Sequence, residues 1–308
     1  MATLSDPIFH DEAKAEAHIA ASRWPDGEPF CPHCGSTRVR RMGGKTQAGM
    51  FLCNDCRDKF TVRTGTLMER SHVPLHKWLL ATHLMAASKK GMSAKQMERM
   101  LGVSYKTAWF LCHRIREAMV STDDTPFGND GGVVEVDETF IGKEPGVTRK
   151  AGGYHHKMKV LALLDRDTGR SKAMVVDDLQ IDTVRPILVM NIRREAQLMT
   201  DQAHVYTRVG REFRIHTKVD HSRGEYVNLT DRSIHTNTIE SYFGIFKRGM
   251  RGIYQHCAKK HLHRYLAEFD FRYSNRSAQG IEDAERAAIA LKGMEGKRLT
   301  YRRIGLAA

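Results

Sequence analysis

The sequence predicts an α/β protein: one mixed sheet flanked by helices, preceded by a metal-held ribbon and a pair of short helices. Three observations predict it. Four cysteines stand in two close pairs near the N-terminus. Capped helical patterns follow them. From residue 133 onward, strand-like runs alternate with helical patterns, and acids stand within or at the ends of several. At 308 residues the chain has room for two or three modules. Hydrophobic content of 41% and aromatic content of 8% make it globular rather than disordered.

Formal net charge is +13 and the pI about 9.5, which favours a polyanionic partner, nucleic acid before an anionic membrane. No strongly amphipathic basic helix supports the membrane option. No apolar run nears the ~20 residues of a membrane span. The N-terminus lacks the regions of a signal peptide. A soluble cytoplasmic protein, nucleoid-associated and without a membrane partner, is expected.

Residues 8–23 are Ala- and Glu-rich and read as a first helix. Cys31-Pro32-His33-Cys34 and Cys53-Asn54-Asp55-Cys56 then match the spacing of a structural zinc site. Each C-x-x-C turn presents two thiolates, and two turns close a tetrahedron around Zn²⁺. So short a ribbon draws its folding free energy from the metal. Arg38, Arg40, Arg41, Lys45, Arg57, Lys59 and Arg63 make the ribbon basic, which suits nucleic-acid contact.

Pro74 opens a helix with Leu75, Trp78, Leu79, Met85 and Ala86 mainly on one face. Ser93-Ala94-Lys95-Gln96 is a capping-box pattern. The helix it starts ends at Gly102, and Ser104 caps the next. Helix, glycine-containing turn, helix is the helix-turn-helix pattern. It would place Tyr105, Lys106 and Thr107 against bases and Arg114 and Arg116 against phosphates. An ordinary helical hairpin is the alternative.

The stretch Gly131 to Gly142 holds Val133, Val134, Val136, Thr139, Phe140 and Ile141, a strand composition, with the adjacent acids Asp137 and Glu138. Two readings fit: an edge strand with a solvated acid pair, or a central strand whose charge a divalent cation compensates. A basic segment follows, with Lys143, Arg149, Lys150, His155, His156, Lys157 and Lys159. Val160 to Leu164 and Ala173 to Val176 read as strands joined by the turn Asp165 to Arg170. A helix over 182–196, a strand ending at Asp201 and a fifth strand over 214–219 come next. An acid at a strand's C-terminal end is where open sheets place ligand sites. In the helix after Asn237, Glu240 and Lys247 are seven residues apart and share a face.

Three strands, helix, strand with an acid at its tip, then helix with an acid is the order of an RNase H-like core. There Asp137, Asp201 and Glu240 would converge at the sheet edge and hold two Mg²⁺ ions about 3.5–4 Å apart for in-line phosphoryl transfer. Glu138 alternates to the other sheet face.

In Val136-Asp137-Glu138-Thr139, Met199-Thr200-Asp201, His235-Thr236-Asn237-Thr238-Ile239-Glu240 with Lys247, and His261 to Tyr273, taken with the Cys31–Cys56 ribbon, the chain resembles a bacterial insertion-sequence transposase of the DDE superfamily, 1595-type (ISXO-like). The resemblance implies a transposase. It binds the terminal inverted repeats of its element as double-stranded DNA, cuts them with Mg²⁺ and joins the freed 3′-OH to target DNA, acting as a homodimer or larger. It implies that Lys247, next to Arg248, contacts the element end. Members of the group differ at the third catalytic position. Spacing to Lys247, and the weakness of a neutral Asn as a ligand, select Glu240, with Asn237 as a polar helper. A domesticated DNA-binding regulator and an RNase H-like nuclease are the competing readings.

The expected organisation is a first helix and zinc ribbon over 1–70, the helix-turn-helix-like module over 71–122 and a linker over 123–132. The RNase H-like core follows over 133–275, then a C-terminal helix and a basic tail, Lys297 to Arg303, over 276–308.

Overall fold

The computed structural model describes residues 3–44, 47–148, 153–220, 227–228 and 230–300. Lys45, Arg149, Lys150 and the tail from Tyr301 lie outside them. The chain forms two compact units. One comprises Met1–Ser88, Met92–Met119 and Ile281–Ala308, the other Lys89–Gly91 and Val120–Gly280. No described helix is long and apolar enough to cross a membrane.

In the first unit, Asp11 caps helix α1 (Glu12–Arg23) by accepting from the Lys14 N–H. A three-stranded antiparallel ribbon follows, β1 (Val39–Arg41), β2 (Phe51–Cys53) and β3 (Lys59–Phe60). Its apolar support is small. Phe51 stacks on Phe60 at 5.3 Å, and Trp24 meets Phe51 edge-on at 5.5 Å. Arg23 ties α1 to the ribbon's exit by donating to the carbonyls of Val62 and Thr64. Glu12 accepts from the backbone N–H groups of Leu75 and His76 and so caps α2 (Leu75–Ala87) from another helix.

Helices α3 (Ala94–Leu101) and α4 (Tyr105–Ala118) are short and joined by a tight turn. Ser93 and Ser104 accept from the N–H groups of Gln96 and Thr107, as their sequence positions predict. Gly102 ends α3 at φ +59°, the left-handed conformation that favours glycine there.

The C-terminal helix Asp283–Lys292 is built into this same unit. Arg286 donates to the Ala86 carbonyl of α2. The Leu67 N–H donates to Met294 O at 3.0 Å, and Gly293 packs directly on the Ala118 carbonyl. Arg116, expected to meet phosphates, is instead only 2% exposed. α4 turns that position inward, with Cys112 and Ile115 buried beside it.

The second unit is a five-stranded sheet. Strands β4 (Val133–Ile141), β5 (Met158–Asp165) and β6 (Ser171–Val176) form an antiparallel meander. Helix α5 (Ile181–Asn191) crosses over to β7 (Gln197–Asp201), and α6 (His204–Val209) leads to β8 (Ile215–Val219). The strand order is β6-β5-β4-β7-β8, with β7 parallel to both β4 and β8. Helices α7 (Asn237–Gly249) and α8 (Lys259–Ser274) end the unit.

β4 is therefore the central strand, not an edge, and both its faces are covered. Val134, Val136, Leu161 and Leu163 pack against Val184 and Leu188 of α5 and Tyr206 of α6. On the other face, Val160, Ala162 and Leu164 meet Ile239, Phe243 and Phe246 of α7 and Leu262, Leu266 and Phe269 of α8. Two covered faces explain the unbroken apolar run of β5. Residues 123–132, read from the sequence as a linker, lie against this sheet: Phe127 is buried and bridges Ile192, and the Gly128 N–H donates to Asp165.

A Cβ at position 293 would stand 2.3 Å from the Ala118 carbonyl oxygen. Gly293→Ala is therefore expected to destabilise the protein by about 1–3 kcal/mol, although the same change in an open helix stabilises. A urea midpoint equal to or above wild type would contradict the packing.

Candidate active site and metal centre

The metal centre is formed by turns, not by buried apolar surface. Cys31, Cys34, Cys53 and Cys56 are free thiols whose sulfurs all lie within 4.8 Å of one another. The Cys31–Cys56 and Cys34–Cys53 sulfurs are each 3.6 Å apart. A tetrahedron with ~2.3 Å Zn–S bonds has edges of about 3.8 Å, so the donor set fits zinc. The thiols distort one another's ionisation. Backbone N–H donors led by Cys56 bring Cys53 down to about 7. Cys56 has a favourable N–H from Asp58, yet burial and the other three thiols push it up to about 12. Four adjacent thiolates need a cation, which is the chemistry of a zinc site with four cysteine ligands.

The second site lies where β4 and β7 part. Their parallel pairing runs from Val133↔Gln197 to Glu135↔Met199 and stops there. Asp137 and Asp201 follow two residues later on each strand. Glu240 stands in the first turn of α7. Asp137 feels the other two. Burial first, then Glu138, Asp201 and Glu240, raise Asp137 to about 8, against the Glu138 N–H that donates to its Oδ1 at 2.8 Å. Asp201 Oδ1 also accepts from the Ala203 N–H at 2.9 Å, which fixes the strand end. Lys247, two turns after Glu240, is half-buried. Burial lowers its pKa; Asp137 and Glu240 offset this, while Arg251 and Lys157 add to it. Among the described residues, only the four cysteines have ligand atoms all within 4.8 Å; the three carboxylates are more widely spread.

Glu138 points to the opposite face. Its Oε2 accepts from the Tyr206 hydroxyl at 2.5 Å, and burial raises its pKa. Asn237 is exposed at the start of α7, and its N–H donates to His235 Nδ1 at 3.3 Å.

Sequence reasoning missed Glu135. It is 0% exposed in the central strand, on the α7 side. Its Oε1 accepts from Arg166 Nε at 2.5 Å and its Oε2 from the Ile239 N–H at 2.8 Å. Arg166 also donates to the carbonyls of Ser233 and His235, at 2.7 and 2.5 Å, and to His235 Nδ1 at 2.8 Å. Burial, then Arg166, lowers the His235 pKa and keeps the ring neutral as an acceptor. This clamp seats the first turn of α7, and hence Glu240, over β4. The signal in the sequence was a third acid, two positions before Asp137, with an arginine in the turn after β5.

The residues expected to touch DNA are not equivalent. Tyr105 is 49% exposed, with Lys95 Nζ 5.7 Å above its ring. Lys106 is exposed, and Thr107 Oγ1 is 2.9 Å from Ser104 Oγ. Arg114 is half-buried: its guanidinium stacks on Phe110 at 4.6 Å and donates to the Leu299 carbonyl. Arg248 is exposed beside half-buried Lys247. In the ribbon, Arg63 is engaged by Glu12 and the Val73 carbonyl, whereas Arg40 and Lys59 are exposed.

A four-cysteine ribbon joined to a mixed sheet that carries acids at its strand ends is the arrangement of a transposase. Comparison with known proteins makes the class particular. Residues 130–274 match the ISXO2-like transposase domain and residues 10–59 the transposase zinc-ribbon domain. An uncharacterized protein in transposable element ISH50 of Halobacterium salinarum is 30% identical over 282 residues, spanning 86% of this chain and 91% of that protein. The chain belongs to the 1595-type (ISXO2-like) transposase family, with an N-terminal zinc ribbon.

Two outcomes follow from the site. Prolonged chelation is expected to release one zinc per chain and to abolish the near-ultraviolet circular dichroism of Trp24 against Phe51, with added zinc restoring it; an unchanged spectrum in the metal-free protein would contradict a zinc-held ribbon. The second concerns pH. Asp137 is raised from 3.8 unfolded to about 8 folded, so between those values the folded state binds the extra proton. In chelator its contribution to stability is full below pH 4 and is lost as pH rises towards 8. Asp137→Asn should flatten that part of the thermal-midpoint profile, and a profile with wild-type slope would refute the assignment.

Proposed function

We propose that this chain is an active transposase that binds the inverted repeats of its own insertion sequence, cuts there and joins the ends to target DNA in a Mg²⁺-dependent reaction. The observation that carries the reading is the influence of Asp201 and Glu240 on Asp137, inside the matched transposase domain. The strand order, an antiparallel meander extended by two parallel strands, supports an RNase H-like core.

Asp137, Asp201 and Glu240 would hold the metal. Bound there, Mg²⁺ would supply Lewis-acid charge for the attacking hydroxyl and the leaving 3′ oxygen. A pair of ions needs a wider ligand set than one ion, which suits carboxylates spread over two strands and a helix. Without a cation Asp137 keeps its proton near neutral pH, so its place in the site is tied to metal binding. Glu135 and Arg166 orient α7. Lys247 directs its ammonium group to the phosphate being cut, and Asn237, one turn before Glu240, supports the same strand. The protein supplies position and charge and no covalent nucleophile.

α3 and α4 act as the helix-turn-helix, with Tyr105, Lys106 and Thr107 towards bases. Arg248 joins Lys247 on the DNA backbone. Arg114 contributes through the field it adds to this face. The ribbon adds phosphate contacts through Arg40 and Lys59. Coordinated cutting of two ends calls for at least a homodimer.

The test is a joining assay with the DNA flanking this gene as donor and a plasmid as target. Wild type is expected to join the ends only with Mg²⁺. Asp137→Asn and Glu240→Gln should lose about 10²–10³-fold in rate while still binding the ends, the scale of losing one preorganised electrostatic contact. Full activity in Glu240→Gln with loss in Asn237→Ala would transfer the third position to Asn237. Binding without joining by wild type would replace this reading with that of a DNA-binding regulator.

A further inference from the structure

α7 carries Glu240 and Lys247 two turns apart, and it packs on the sheet through Ile239, Tyr242, Phe243 and Phe246. Apolar packing is non-directional. It holds a helix against a sheet without fixing the helix's rotation about its own axis. Rotation matters here. A side-chain tip stands roughly 5 Å from the axis, so a roll of about 20° would carry the Glu240 carboxylate by about 2 Å. A misplacement of about 1 Å can cost on the order of 10²-fold in rate. Setting the angle takes a directional contact.

The second unit contains one. The Tyr242 hydroxyl donates to Asp270 Oδ1 of α8 at 2.8 Å. Tyr242 follows Glu240 by two residues, about 200° around the helix, so fixing the one directs the other. The Tyr242 ring also meets Tyr273 of α8 edge-on at 5.3 Å, and the Tyr273 hydroxyl donates to the Thr238 carbonyl at 3.3 Å. Asp270 is itself held to the sheet. β6 is the last strand on its side, and its Ala173 N–H donates to Asp270 Oδ2 at 2.8 Å. The Ser171 hydroxyl donates to Oδ1 at 3.0 Å, and the Ser171 N–H to Ser274 Oγ, one turn along α8, at 3.0 Å. Burial raises Asp270 to about 6 while its three donors pull it down, so at neutral pH it is a carboxylate accepting from all three. A phenylalanine ring would supply the apolar contact of Tyr242; the hydroxyl adds direction.

We propose that Asp270, acting through the Tyr242 hydroxyl, is a positioning residue: it sets the rotation of α7 and thereby aims the Glu240 carboxylate. This role rests on the proposed function, in which Glu240 holds metal, and extends it to α8 and the edge of the sheet. Glu135 fixes where α7 starts, through a backbone N–H; Asp270 fixes its angle. Partners that orient a metal ligand typically change metal affinity by roughly 10–100-fold when removed.

The test compares two single-hydroxyl deletions in the full-length protein, loaded with zinc. Tyr242→Phe and Ser171→Ala each remove one donor to Asp270 Oδ1, but only the first lies on α7. The probe is Mn²⁺, which takes the oxygen ligands of Mg²⁺. It is titrated without DNA and read by electron paramagnetic resonance, beside the thermal midpoint and the joining rate. Both variants are expected to melt a few degrees below wild type and to bind element ends as wild type does. Tyr242→Phe alone should bind Mn²⁺ about tenfold more weakly and join about tenfold more slowly. Wild-type Mn²⁺ affinity in Tyr242→Phe would make the hydroxyl merely structural and overturn the role. An equal loss in both variants would put the control at the sheet edge and overturn it too, and in either case the transposase reading stands. Glu240→Gln is the reference. If it binds Mn²⁺ as tightly as wild type while wild type joins ends, Glu240 is not the ligand and the role falls with that assignment. If wild type neither binds Mn²⁺ nor joins ends, the proposed function falls as well.

Discussion

A fully buried carboxylate in the central strand organises the second unit. Glu135 has no water to solvate it, and a charge so placed is stable only with complete pairing. Arg166 and the Ile239 N–H provide that pairing from 31 and 104 residues further along the chain. The turn after β5, the loop before α7 and the first turn of α7 are thereby fixed to β4. Two residues on, Asp137 accepts the Glu138 N–H but, among the described residues, no arginine, and burial and its acidic neighbours raise it to about 8. One acid is satisfied by protein and serves architecture; its neighbour is left for something else to satisfy.

The first unit solves a different problem. Its ribbon has too few apolar side chains to hold three strands, so four thiols around one point supply the missing cohesion. The helices beside it rely on caps and contacts from elsewhere in the chain: Glu12 of α1 caps α2, and the C-terminal helix covers α2 and α4. In sequence terms these are long-range dependences.

That distinction sets what could be read from the chain alone. The cysteine spacing, the serine caps before α3 and α4, and the acid at the end of β7 are local features, and each stands where the sequence puts it. The position of β4 at the sheet's centre was open, because alternation of apolar residues does not tell a central strand from an edge. Glu135 and Arg166 are 31 residues apart, and no local pattern links them. Arg116 sits among basic residues and looks like a surface cation until the packing of α4 turns it inward. Tyr206 likewise shows its bond to Glu138 only once α6 has folded back over the sheet.

The return of the C-terminal helix to the first unit also sets an order of events on the ribosome. The segment up to Met119 emerges first, but roughly 160 residues must be made before Ile281 appears, a wait of roughly ten to thirty seconds at typical elongation rates. During that interval α2 and α4 lack their covering helix, while the sheet unit, contiguous from Val120 to Gly280, can fold on emergence. The ribbon can take up zinc in the same interval and protect the nascent N-terminal part. The unit carrying the expected DNA-reading helices is then finished last, after the unit carrying the acids, so a prematurely terminated chain has its carboxylates assembled without a completed ribbon-and-helix unit.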